Sequence, residues 1–256
     1  MCSLAVVILT KNEEDNIEQV VNNAKQCTEE VLLIDGGSTD RTVDLAQKCG
    51  AKVCFRAWDA DFSAQRNFAL DQTDAKWILY LDADERLNKD LVPFIKKVVQ
   101  SATPDKQYLI QRKSVAFGTK FNHGILEPDF VARLFPRGSV TWVNKVHEHP
   151  VCNLPSVQLP GHIEHHTYRD WAAWERKLEQ YTTIWAQNAY AQGKKISMPG
   201  ILLHSLAAFI KMFILKKGFL DGWMGSYMCC THFFYTMLKY LKLQELWRLN
   251  REQAKK

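Results

Sequence analysis

The sequence has no CxxC pair, no GxGxxG or Walker loop, no internal repeat, no low-complexity stretch and no uninterrupted apolar run of 18 residues. Each absence excludes something. The seven cysteines (Cys2, Cys27, Cys49, Cys54, Cys152, Cys229, Cys230) sit at spacings that suit neither a zinc centre nor a disulfide framework, so reduced thiols facing the cytoplasm are expected. The missing glycine-rich loops argue against a Rossmann dinucleotide site or an ATP P-loop. Without a long apolar run, no membrane-spanning helix is expected. A chain with 46% hydrophobic and 24% charged residues is not disordered, collagen-like or a coiled coil. Met1 to Thr10 is a short apolar run cut off by Lys11-Asn12-Glu13-Glu14-Asp15, and no signal peptide is expected there.

What is present, in 256 residues, is an α/β core with an appendage. Ala5–Leu9, Val31–Ile34, Lys52–Arg56 and Trp77–Leu81 read as buried strands. Helices from about Glu13 to Gln26 (capped by Asn12), Arg41 to Lys48, Phe62 to Leu70 and beyond Asn88 alternate with them. That alternation predicts parallel strands with right-handed crossovers, which bind ligands at the strands' carboxyl ends. Polar clusters stand there: Thr10–Glu13, Asp35–Asp40 and Asp82–Glu85. After Thr103-Pro104 the pattern changes to strands near 108–117, 130–135 and 140–143. Asp170 then caps a helix running to about Gln192.

Asp82-Ala83-Asp84 follows a five-residue apolar strand, so two carboxylates leave a buried strand end one residue apart. This suits Mg²⁺ or Mn²⁺ with phosphate oxygens completing the shell. Asp59-Ala60-Asp61 has the same spelling without the strand and reads as a loop entering a helix. Asp35 closes the second strand, where it can bond a base or ribose or simply form an Asx turn. Gly36 and Gly37 let a ligand approach the backbone.

Taken together, Thr10-Lys11-Asn12-Glu13, Asp35-Gly36-Gly37-Ser38-Thr39-Asp40, Gln65-Arg66-Asn67 and Asp82-Ala83-Asp84-Glu85 resemble the nucleotide-sugar half of the family 2 glycosyltransferases. The resemblance implies a GT-A fold, an inverting reaction, a UDP-sugar donor and a divalent cation. It places Thr10, Asn12, Glu13, Asp35, Gly37, Arg66, Asp82 and Ala83 on the nucleotide sugar, with Asp35 at the uracil or ribose and Arg66 near the base or diphosphate. Asp84 would be the main metal ligand, with Asp82 near ribose and metal. Pro128-Asp129, Arg133-Leu134-Phe135, Val146-His147-Glu148, Ile163-Glu164-His165, Lys217–Gly222 and Lys239-Tyr240 resemble the bacterial subgroup that builds lipopolysaccharide and lipooligosaccharide cores, especially its β-1,4-glucosyltransferases. Leu126-Glu127 depart from that subgroup's pattern, where an aromatic pair is expected. The implied division is a catalytic domain over 1–168 (nucleotide-sugar half 1–101, acceptor half 102–168) and a helical region over 169–256.

An inverting displacement needs a base for the incoming hydroxyl. Glu148 is the candidate and Asp129 the competing carboxylate; His165 suits a third metal or diphosphate contact, with His166 its rival. Zinc on His147, His149, His162, His165 and His166 is not expected, because the spacings are irregular and no cysteine partners them. A sugar-1-phosphate nucleotidyltransferase lacks its glycine-rich loop here, and a non-enzymatic membrane-binding protein leaves the strand-end carboxylates unexplained. A polyprenyl-phosphate or other cell-surface glycosyltransferase is the second reading.

From Gly193 on there are 11 Lys and Arg against 3 Asp and Glu, a balance of +8; the rest of the chain holds −3. Leu202, Leu206, Phe209, Ile210 and Phe213 form one apolar stripe and Tyr227, Phe234, Leu238 and Leu241 another. Apolar stripes rimmed by lysines suit helices resting on an anionic membrane. A peripheral position on the inner face of a bacterial inner membrane, near a lipid-linked saccharide acceptor, is therefore expected. No nucleic acid partner is expected; a homo-oligomer remains open.

Overall fold

The computed structural model describes residues 3–101, 103–145 and 148–253; Cys2, Val146 and His147 lie outside them. The chain forms two compact units, Met1–Arg112 with Asp129–His165, and Lys113–Pro128 with His166–Lys256.

The first unit opens with β1 (Leu4–Thr10), α1 (Ile17–Ala24), β2 (Glu30–Asp35), α2 (Thr42–Lys48), β3 (Lys52–Phe55), α3 (Phe62–Leu70), β4 (Trp77–Asp82), β5 (Glu85–Leu87) and α4 (Leu91–Ser101). There follow β6 (Gln107–Ala116), β7 (Thr119–Lys120), β8 (Asp129–Pro136), β9 (Thr141–Val143), β10 (His149–Val151) and β11 (Ser156–Tyr168); β7 and the ends of β6 and β11 belong to the second unit. The sheet order is β3-β2-β1-β4-β8-β6-β11-β5, with β7 paired to β6. β3, β2, β1 and β4 are parallel; β8 runs antiparallel to β4 and β6, and β5 antiparallel to β11. The sheet is thus mixed, in the α/β class that the alternation predicts.

The apolar runs are continuous because both sheet faces are covered. Val6, Ile8, Leu33 and Leu79 pack with Ile17, Val20 and Val21 of α1, while Ala5, Val7, Leu32, Ile78 and Tyr80 pack with Phe135 and Trp142. Each fully buried Val, Leu or Ile contributes roughly 1.5–3 kcal/mol. One helix start differs from expectation. α1 begins at Ile17, not Glu13, because Asn12 takes a left-handed φ of 57° and its side chain accepts from Thr39 N–H instead of capping a helix.

The second unit holds α5 (Trp171–Ala191), α6 (Met198–Ile210) and α7 (Gly222–Gln253). Asp170 caps α5 by accepting from Ala173 N–H, as its position predicts. A π-helical turn, Lys211–Leu215, prolongs α6. The expectation that nothing is long and apolar enough to span a membrane is corrected here. Met198–Leu215 passes that test by length and composition, at mean hydropathy 1.8, with 11% of its residues buried. Within it, Ser205 Oγ donates to Ile201 O, so the hydroxyl is satisfied by the helix itself.

Between α6 and α7 the motif Lys217–Gly222 forms a tight break. Lys217 has a φ of 54°, and Gly218 is buried against Gly124 and Cys229, whose sulfur a side chain at Gly218 would overlap. The Asp221 carboxylate accepts from Asn122 N–H and His123 N–H (2.9 and 2.8 Å) and meets His123 Nδ1 at 2.8 Å.

Candidate active site

Strand register levels the carboxyl ends of β1, β2 and β4: Thr10 lies opposite Asp35 and Leu9 opposite Asp82. The loops after β1 and β2 hold each other. Asn12 N–H donates to Ser38 Oγ (2.9 Å), Thr39 N–H to Asn12 Oδ1 (2.8 Å) and Glu13 N–H to Thr42 Oγ1 (2.8 Å). Asp35 is 4% exposed; its carboxylate accepts from Gly37 N–H, Ser38 N–H and Ser38 Oγ, the Asx turn that its sequence context left open. Gly37 at φ +93° makes that turn possible without strain. Thr10 Oγ1 is buried without a hydrogen-bond partner among the described residues.

Beside these loops lies a cluster of buried charge. Arg66, 3% exposed on α3, donates through Nη2 to Asp82 Oδ1 (2.7 Å) and reaches Glu148 Oε1 at 3.5 Å. Its guanidinium lies 4.5 Å from the Trp142 ring centroid, while Nε and Nη1 have no partner among the described residues. The flanking motif residues build its seat. Gln65 Nε2 donates to Arg56 O, and Asn67 pairs with the Trp142 backbone in both directions (2.9 and 2.8 Å).

Arg133 donates to the other Asp82 oxygen (2.7 Å) and to Glu85 Oε1 (2.5 Å), and Asp82 N–H donates to Glu85 Oε2. Burial alone would raise the Asp82 carboxyl, but the Arg133 and Arg66 charges outweigh it and hold it well below the usual range. Burial pushes the Glu85 carboxyl up, with Arg133 opposing and Asp82 adding to the rise. Arg86 Nη1 donates to Ala83 O and Glu85 O, fixing the turn that presents Asp84.

β11 pairs with β5 so that His165 lies opposite Glu85. This brings His165 Nε2 to 3.2 Å from Asp84 Oδ2, with both side chains part-exposed. His166, the next residue on β11, is exposed. Asp129 is about half-exposed and forms a two-bond pair with Arg112 (2.7 and 3.0 Å). Asp59 bonds Arg56, and Asp61 caps α3 through Ala64 N–H, so the second DxD is an ordinary helix entry. Among the described residues no three His, Cys, Asp or Glu side chains form a metal cluster.

The structure therefore gathers Arg66, Asp82, Asp84, Glu148 and His165, while Asp129 pairs with Arg112, whose Nη1 reaches Glu85 Oε1 at 3.7 Å. Sequence reasoning assigned no role to Arg133, Glu85 or Trp142. Glu85 and Arg133 stood in the resembling motifs without a role; the physical signal for one was an arginine inside the apolar run Val131-Ala132-Arg133-Leu134-Phe135, since a buried charge requires a partner.

The model of "Glycosyl transferase family 2" matches residues 5–134. An uncharacterized glycosyltransferase of Rickettsia typhi is 28% identical over 259 residues, covering 96% of this chain and 88% of that one. The lipopolysaccharide core biosynthesis glycosyltransferase LpsC of Rhizobium meliloti is 23% identical over 241 residues, 87% of each chain. Among solved structures, glucosyl-3-phosphoglycerate synthase of Mycobacterium tuberculosis aligns over 45% of this chain and 44% of that one, at 21% identity and TM-score 0.35.

Proposed function

The chain belongs to glycosyl transferase family 2, and from that premise we propose an inverting transferase that moves a hexose, glucose foremost, from a UDP-sugar to a lipid-linked lipopolysaccharide or lipooligosaccharide core. The likeness to LpsC along most of both chains supports the acceptor class. The observation that carries the chemistry is the meeting of Asp84 with His165 beside the Arg66–Asp82 pair.

A divalent cation fits this place. Asp84 and His165 offer an oxygen and a nitrogen donor 3.2 Å apart, leaving coordination positions for diphosphate oxygens and water. Asp82 fits less well as a direct ligand, since each of its oxygens accepts from an arginine. When bound, the cation neutralises charge on the departing diphosphate. Arg66, buried and with two unused N–H-bearing nitrogens, suits the donor's anionic groups. Thr10, Asn12, Glu13, Asp35, Gly37 and Ala83 shape the nucleoside side of the site. In the displacement, the acceptor oxygen bonds the anomeric carbon as that carbon's bond to the diphosphate oxygen breaks, the electron pair leaving with the diphosphate. Glu148 takes the hydroxyl proton. Glu148 is preferred to Asp129 because Arg66 links it to Asp82, whereas both Asp129 oxygens are held by Arg112.

The helical region is the membrane contact in this reading. Leu203, Leu206, Ile214, Leu215, Leu220 and Trp223 are 49–74% exposed. An interfacial position is preferred to a spanning one because α6 packs along α7, which carries Lys242, Glu245 and Arg248 and would enter the hydrocarbon with it. The deciding experiment offers purified protein a panel of nucleotide sugars with and without chelator. Cation-dependent cleavage of a UDP-hexose is expected, and cleavage of none overturns the reading.

A further inference from the structure

Asp82 ends β4 with its carboxylate between two arginines. Arg66 Nη2 donates to Oδ1 and Arg133 Nη2 to Oδ2, both at 2.7 Å. Arg133 is itself anchored. The same nitrogen donates to Glu85 Oε1 (2.5 Å), and Asp82 N–H donates to Glu85 Oε2 (3.1 Å), which closes a ring of three residues. Arg133 and Glu85 are both buried, so this ring is fixed by its surroundings.

An arginine that faces a carboxylate commonly closes on it with two parallel bonds. The first unit shows that geometry twice. Arg112 holds Asp129 through Nε and Nη2 (3.0 and 2.7 Å), and Arg56 holds Asp59 through Nη1 and Nη2 (3.1 and 2.9 Å). Arg66 and Asp82 are joined by one bond, because the second Asp82 oxygen belongs to Arg133. The consequence falls on Arg66. Its Nε and Nη1 are buried without a hydrogen-bond partner among the described residues, two donors whose desolvation only an arriving acceptor can offset.

We propose that Arg133 is a positioning residue for donor binding. By occupying Asp82 Oδ2 it keeps Arg66 from closing on Asp82 with two bonds, and so leaves Arg66 Nε and Nη1 to the anionic oxygens of a nucleoside diphosphate. Arg133 itself acts only through Asp82. The identity of the ligand rests on the UDP-sugar reading, whereas the state of the Arg66–Asp82 pair does not, and the test has one arm for each. A role confined to neutralising buried Glu85 would lower stability without changing how Arg66 bonds.

The first arm is a crystal structure of unliganded Arg133→Met, in which Arg66 should make two bonds to Asp82. The second is calorimetric titration of the full chain with UDP and Mn²⁺. Arg133→Met should weaken UDP binding about tenfold in the wild-type background. In the Arg66→Lys background it should weaken binding less than about twofold, because an ammonium has no fork to close. Arg133→Lys keeps the buried charge but is too short to reach the Nη2 position, and it replaces Arg133→Met in both arms if that variant does not fold. A single Arg66–Asp82 bond in the variant, or equal weakening in both backgrounds, overturns the proposal. Failure of the wild type to bind UDP overturns the donor reading instead, and the crystal structure still decides whether Arg133 holds Arg66 open.

Discussion

Asp84 Oδ2 and His165 Nε2 lie 3.2 Å apart although 81 positions separate them in the chain. The antiparallel pairing of β11 with β5 makes this contact, placing His165 opposite Glu85 and next to the turn that follows β4. A strand-end carboxylate thereby gains a nitrogen partner from the far end of the first unit.

If this pair holds the cation, Asp84→Asn and His165→Ala each weaken Mn²⁺-dependent UDP binding, and the double variant loses less than the sum of the two. Calorimetry with and without chelator measures this. Additive losses would place the residues in separate roles.

Glu148→Gln should retain UDP-sugar affinity and lose about 10²–10⁴ in kcat, the usual effect of removing a general base. Asp129→Asn should lose far less. Steady-state kinetics with donor binding measured in parallel separates the two, and the reverse pattern exchanges their roles.

Arg133→Met leaves Asp82 and Glu85 without a shared partner and should cost about 3–5 kcal/mol at neutral pH. The folded Asp82 carboxyl lies below its ordinary 3.8, so its stabilisation is present above that value and is lost as pH falls through the folded one. The stability gap between wild type and Arg133→Met should therefore narrow below about pH 4. Urea melts at neutral and acid pH give the answer; a constant gap contradicts the ion-pair account.

Asp221→Ala removes the acceptor for two backbone N–H groups and the His123 ring, and should destabilise the second unit by about 1–3 kcal/mol. Asp221→Asn should recover part of the loss. Thermal melts of both variants check this.

Leu203→Glu with Trp223→Glu should reduce co-sedimentation with anionic vesicles. High salt should weaken wild-type binding without abolishing it, because apolar contact survives screening. Equal, negligible binding of wild type to anionic and neutral vesicles would remove the membrane from the function.

The parallel half of the fold is legible in the order of the residues alone. Its strands are buried on both faces, so runs such as Ala5–Leu9 and Trp77–Leu81 are written without interruption, and the polar residues that end them mark the ligand edge. The helix caps Asp61 and Asp170 are equally local and equally legible. Which charges meet depends on the packed strands. Arg66 comes from a helix, Asp82 from a strand end, Arg133 from an antiparallel strand and His165 from the last strand; the lone contrast of an arginine in an apolar run could announce a buried partner without naming it. Asn12 shows the same limit at short range, since its cap-like position in the sequence was overruled by a hydrogen bond to Thr39 on the neighbouring loop. Local patterns fix elements because burial and capping act within a few residues. Partners across the sheet depend on strand order and register, and those are set by the packing of the whole unit.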